Sequence, residues 1–157
     1  MPKRHASLIQ LSRDHHDGLM LALRLRQGKR ALLRDWSHDL RWQATYVQQF
    51  YRSHLLPHFE AEEKALFPVM KKYARESVDT IETLLKQHEE MKTRVERIGT
   101  TSEATLEEAL KSFGELLERH IRIEEDELFP TFEKSVPTNV AAEVGRKIEK
   151  VDKPLAE

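Results

Sequence analysis

Two stretches of identical frame carry the residues with chemical potential. The first runs His58-Phe-Glu-Ala-Glu62-Glu-Lys-Ala-Leu-Phe-Pro68, the second His120-Ile-Arg-Ile-Glu124-Glu-Asp-Glu-Leu-Phe-Pro130. Aligned without a gap, they share His, Glu, Glu, Leu, Phe and Pro at the same offsets. A histidine and a glutamate four apart lie on one helix face, one turn above the other, and reach the same point beside the helix. Two such pairs on facing helices would bring two imidazoles and two carboxylates to one spot in a bundle core. That donor set suits two metal ions.

The elements that must position these pairs are helices. Ser7 with Gln10 reads as a capping box that opens a first helix, along which Leu8, Leu11, His15, Leu19 and Ala22 share a face. Gly28 is its expected stop, followed by a connection from Lys29 to Trp36. A long second helix is expected from Asp35 or Ser37, with Val47, Tyr51, His54, His58, Glu62 and Leu66 on one side. Pro57 lies inside it and predicts a kink just before His58. At Pro68 the helix either ends or bends and continues to Ala74. Asp79 and Glu82 signal a third helix carrying Ile81, Leu84, His88, Met91, Val95 and Ile98, with Gly99 as its stop. A fourth helix, opening at Ser102 or at Thr105, carries Leu110, Phe113, Leu117, His120, Glu124 and Leu128 to Pro130. Gly114 within it marks close helix contact, and each Leu-Phe-Pro is expected to close a bundle end and stop the helix. Pro137-Thr138 begins a short fifth helix with Val140, Val144, Ile148 and Val151 as its stripe, either covering the bundle or contacting a second copy of the chain.

On this reading the order is one His, a His-x-x-x-Glu pair, one His, a second pair. His15 and His88 sit in the same apolar frame (Leu four before, a small or branched residue seven after), which favours His15 over His16 on the first helix. Each half then supplies two imidazoles and one carboxylate, and carboxylates that bridge would give each metal two nitrogens and two oxygens. Imidazole with carboxylate suits iron, and also zinc or manganese, and helix bundles build such sites from inward-facing residues. His54 is about 12 Å from Glu62 along a straight helix and is outside direct reach. His38 belongs to a helix start and His5 to the tail. Glu63 and Glu125 point about 100° away from their neighbours, either to solvent or to a ligand imidazole.

Composition narrows the classes. The 157 residues form a single domain with a bundle over about 7–130 and a helical extension over about 137–152. A net charge of −1 gives no electrostatic case for nucleic acid or anionic lipid. There are no cysteines, which excludes disulfides, thiolate metal sites and iron–sulfur ligation. No segment reaches the apolar length of a membrane span and the first residues lack a signal-peptide core, so a cytoplasmic location is expected.

From Asp14-His15 to Phe129-Pro130 the chain resembles the hemerythrin-like family, the HHE cation-binding domains. The resemblance rests on the lone His of helices one and three and the His-Glu-Glu-Leu-Phe-Pro spacing of helices two and four. It implies an all-α, up-down-up-down four-helix bundle, here with a short C-terminal fifth helix. It further implies a non-haem di-iron centre with a solvent-derived bridge. The metal ligands would be His15, His58, His88 and His120, with Glu62 and Glu124 as bridging carboxylates. Two departures stand out. Oxygen-carrying hemerythrins have a His-x-x-x-His pair on helix three, where this chain has Leu84 and Lys92 four residues either side of His88. They also use an aspartate five after the last His, where this chain has Glu125, with Glu124 one residue earlier. One imidazole fewer makes a more open, more symmetric site. The expected function is binding or sensing of O2 or NO, with an enzyme acting on peroxide or NO, or iron storage and donation, as alternatives. A ferritin-like oxidase would show Glu-x-x-His pairs in a carboxylate-rich site, and the order here is reversed.

Overall fold

A computed structural model describes residues 3–27 and 35–152. Gly28 and most of the connection expected after it lie outside these residues. A 3-10 turn at Ala6–Leu8 leads into α1 (Ile9–Gln27); α2 occupies residues 40–73, α3 is Val78–Thr100, α4 occupies residues 103–135, and α5 is Thr138–Val151. No strand occurs among the described residues. Short links join α2 to α3 and α3 to α4, so sequential helices run antiparallel, and the four long helices form an up-down-up-down bundle. The fifth helix lies against the middle of α2 and the turn before α1, so its stripe of Ala141, Val144 and Ile148 is buried within the chain. None of the described helices is long and apolar enough to cross a membrane.

Several helix caps differ from expectation, one of them because a tertiary partner claims the side chain. The Ser7 hydroxyl donates to the Ala141 carbonyl at 2.6 Å, and His5 Nδ1 accepts the Ser7 amide at 3.1 Å, so no capping box forms at Ser7. Helix α2 starts neither at Asp35 nor at Ser37: Asp39 caps it, accepting the Arg41 and Trp42 amides. Ser77 precedes α3 and donates its hydroxyl to Ala74, leaving Asp79 in the first turn, where its charge complements the helix dipole. Gly99 does not stop α3, which continues to Thr100. Helix α4 opens after Ser102, the earlier of its two expected starts.

The prolines interrupt the α-helical hydrogen-bond pattern here without ending the helices. A proline has no N–H and crowds the carbonyl four residues back. Each of Pro57, Pro68 and Pro130 is preceded by a five-residue π turn: Tyr51–Leu55, Glu62–Leu66 and Glu124–Leu128. In each, the residue before the proline donates to the carbonyl five back: Leu56 to Tyr51, Phe67 to Glu62 and Phe129 to Glu124. The extra residue absorbs the missing donor, and the helix continues to Tyr73 in α2 and to Ser135 in α4. The expected helix stop at Pro130 is thus corrected, and the irregularity expected before His58 takes the form of a π turn. Two of the three π turns begin on Glu62 and Glu124 themselves.

Two apolar cores enclose a polar layer. On one side Leu25, Val47, Phe50, Met91, Leu110 and Phe113 pack together; on the other are Leu8, Leu11, Leu66, Met70, Phe132 and Ile148. Gly114 does mark a close approach: a Cβ there would lie 3.0 Å from Leu25 Cβ and 3.1 Å from the Ala22 carbonyl oxygen, so α1 and α4 meet backbone to backbone. The polar layer between the cores is buried, which strengthens every electrostatic interaction inside it.

Candidate metal centre

Four helices each contribute one histidine to the polar layer. His15, His58, His88 and His120 are all at least 95% buried, and Glu62 and Glu124 have no exposed surface. The imidazole Nε2 atoms converge: His15 and His58 are 3.2 Å apart, as are His88 and His120. Glu124 Oε1 lies 3.1 Å from His15 Nε2 and 3.2 Å from His120 Nε2, linking the two pairs. Glu62 does the same from the other side, with Oε1 at 3.1 Å from His88 Nε2 and Oε2 at 3.4 Å from His58 Nε2. Ligand atoms of His15, His58, Glu62 and Glu124 all lie within 4.8 Å of one another, as do those of Glu62, His88 and His120. The six residues singled out from the sequence therefore meet in one place. His16 is exposed, so of the two first-helix candidates His15 is the one that joins the cluster.

Every one of the four histidines has an acceptor on its outer nitrogen. His15 Nδ1 meets Glu125 Oε2 at 2.6 Å, His58 Nδ1 meets Asp14 Oδ2 at 2.8 Å, His88 Nδ1 meets Glu63 Oε2 at 2.9 Å and His120 Nδ1 meets Gln87 Oε1 at 2.8 Å. These contacts place the proton on Nδ1 and turn the Nε2 lone pair inward, the arrangement that fixes the orientation of metal-binding imidazoles. The open choice for Glu63 and Glu125 is settled by these contacts. Asp14 and Gln87 were not singled out by sequence reasoning, although a signal existed: each is the polar residue just before a lone histidine. The repeated phenylalanines also have a role other than closing the bundle end. Phe129 stacks on His15 with centroids 5.4 Å apart, and Phe67 stacks on His88 at 6.0 Å.

The donor set fits a cation on two grounds. Facing Nε2 lone pairs at 3.2 Å repel unless positive charge lies between them. Glu62 Oε2 and Glu124 Oε2 are buried and accept no hydrogen bond, an expensive condition for carboxylates unless a cation compensates it. The protein alone meets this need with a proton. Burial pulls the His58 pKa down, but the Glu62 charge and the Asp14 hydrogen bond outweigh it and raise it to about 10. His120 is pulled down to about 4 by burial, with Glu62 opposing only in part. Burial lowers His15 as well, against its Glu125 hydrogen bond, whereas for His88 the Glu62 and Glu63 hydrogen bonds prevail over burial and raise it. Glu62 stays well below the ordinary carboxylate range: burial opposes this, but His58 and its neighbouring imidazoles prevail.

The remaining histidines stand apart from this cluster. His54 is exposed, stacks on Phe50 with centroids 4.7 Å apart and bonds Ser53 Oγ. It lines, with Phe50, Leu55, Phe59, Leu117 and Ile121, a small apolar cavity that also touches His15, His58 and His120. His38 is exposed before α2, and His5 is the cap of the first turn. Two residues with no sequence signal complete the surroundings. Buried Arg4 binds Glu125 through Nε at 3.2 Å, and Asp152 Oδ2 lies 4.0 Å from His58 Nδ1.

No curated protein and no solved structure matches the chain. The family model of the hemerythrin HHE cation-binding domain matches residues 7–132, a span that holds all six clustered residues and the four long helices up to Phe132. With that match and a cation-ready cluster at its centre, the chain belongs to the hemerythrin HHE cation-binding family.

Proposed function

We propose that this chain is a non-haem di-iron protein that binds or senses O2 or NO. His15 and His58 would hold one iron and His88 and His120 the other, with Glu62 and Glu124 shared between them. Glu62 and Glu124 are the bridging groups in this reading, since each lies beside imidazoles of both pairs. Iron bound by imidazoles and carboxylates supplies one-electron redox chemistry and open positions for a small ligand. The protein's own residues do the rest. The outer acceptors hold each imidazole in place, and the two apolar cores exclude bulk water.

The single observation that carries the ligand class is the apolar cavity beside His15, His58 and His120. It has room for about one water-sized molecule, and its walls are aromatic and aliphatic. A small, weakly polar diatomic fits such a space, while an organic substrate does not. The test begins with elemental analysis of protein from iron-supplemented cells, where two irons per chain are expected. Anaerobic reduction followed by O2 or NO should then produce a new optical band that disappears on purging. Less than one iron per chain, or no spectral response to either gas, would overturn the proposal.

A further inference from the structure

The inner atoms of the site obey the sequence repeat, but their supports do not. His15 is held by Glu125, which also accepts the Ser12 hydroxyl at 2.8 Å and the Arg4 guanidinium at 3.2 Å. Arg4 additionally donates to the Glu125 carbonyl at 2.6 Å and to Glu133 at 2.8 Å, and its side chain is 5% exposed. His58 is held by Asp14, and Asp152 at the end of α5 stands within 4.8 Å of both, its side chain 8% exposed and its Oδ2 without a hydrogen-bond partner. Arg4 and Asp152 lie on either side of residues 7–132, outside the span that matches the family. The other pair has weaker supports. His88 is held by Glu63, whose side chain is 46% exposed and lines an open surface groove with Glu60 and Glu89. His120 is held by Gln87, which carries no charge.

We infer that the two metal positions are unequal by construction. The position of His15 and His58 is the retained one, clamped by Arg4 through Glu125 and by Asp152 with Asp14. The position of His88 and His120 is the exchangeable one, emptied and refilled past Glu63 at the groove. Arg4 and Asp152 are positioning residues for the retained metal, acting through neighbours that touch its ligands. This inference rests on the dinuclear reading of the site.

Cobalt(II) loading followed by excess chelator tests it, with loss read from the cobalt absorption bands. Loss is expected in two phases of one metal each. Arg4→Gln and Asp152→Asn should speed the slow phase roughly tenfold or more and leave the fast phase unchanged, since outer supports of metal ligands carry effects of that order. Glu63→Gln should speed only the fast phase, and His88→Ala should retain one cobalt and show only the slow phase. A single-phase loss of two metals, or equal acceleration of both phases by Arg4→Gln and Asp152→Asn, would overturn the inequality while sparing the dinuclear reading. Less than one cobalt per chain would sink the dinuclear reading itself.

Discussion

His58 and His120 occupy the same position of the repeat, yet the first holds its proton up to about 10 and the second only to about 4. Both are fully enclosed, and burial acts against the charged form of each. Glu62 raises both, but His58 gains further from the carboxylate of Asp14 at its outer nitrogen, whereas His120 meets the amide of Gln87 there and is held down by His88 and His15. The same division runs through the rest of the site. Glu125 is buried and paired to Arg4, whereas its counterpart Glu63 is half exposed. The lesson is that a duplicated donor frame does not give its two halves equal surroundings. The inward geometry follows from helical spacing, but how firmly each donor is held follows from whatever lies behind it.

The largest expected effect removes what the halves have in common. Glu62→Ala combined with Glu124→Ala deletes both shared carboxylates and should reduce bound metal from two per chain to none detectable by elemental analysis. Retention of one metal by the double variant would show that one half can bind without a shared carboxylate. Next comes the buried support of the His15 half. Arg4→Ala leaves Glu125 without its guanidinium and should cost about 3 kcal/mol in chemical denaturation of the metal-free protein, as breaking a buried ion pair does. Removing the exposed Glu63 carboxylate by Glu63→Ala should cost well under about 1 kcal/mol. Equal costs would erase the distinction drawn here.

Acidity probes the same contrast more gently. Folded His120 titrates near 4 and the unfolded side chain near 6.5, so the unfolded chain takes up that proton first. Stability of the metal-free protein should therefore fall as pH drops from about 6.5 through about 4. Folded His58 keeps its proton to about 10, so its contribution is complete below about 6.5 and is lost as pH rises through about 10. Thermal melts across this range should trace a dome for the metal-free protein, and filling the site should flatten its alkaline side, because a cation then replaces the His58 proton. The smallest effect is a swap of one atom pair. Gln87→Glu gives His120 the kind of partner His58 already has, and an NMR titration should find its pKa raised. An unmoved His120 would mean that the outer partner does not govern the difference.

Much of this molecule was legible in the sequence because its instructions are local. Periodicity near 3.6 residues sets which side chains share a face, so His15, His58, Glu62, His88, His120 and Glu124 were identifiable as one constellation. The same spacing set the five helices and their order, and Gly114 announced the contact of α1 with α4. Local reasoning failed where a side chain had a choice of partners. Ser7 turned from its own helix start to the Ala141 carbonyl, and Asp39 took the cap expected of Asp35 or Ser37. The prolines were absorbed by π turns because packing on both sides keeps the helices in place, a force no single segment expresses.

By itself the sequence determined the helices, their inward faces and the duplicated donor set, since each depends on residues within a turn or two of one another. Only the tertiary structure decided what stands behind each donor. Arg4 meets Glu125 across 121 residues, and α5 brings Asp152 beside His58. Such partners are chosen by the docking of whole helices and carry no periodic signature. That is why two stretches so alike in the chain become two unequal halves in the fold.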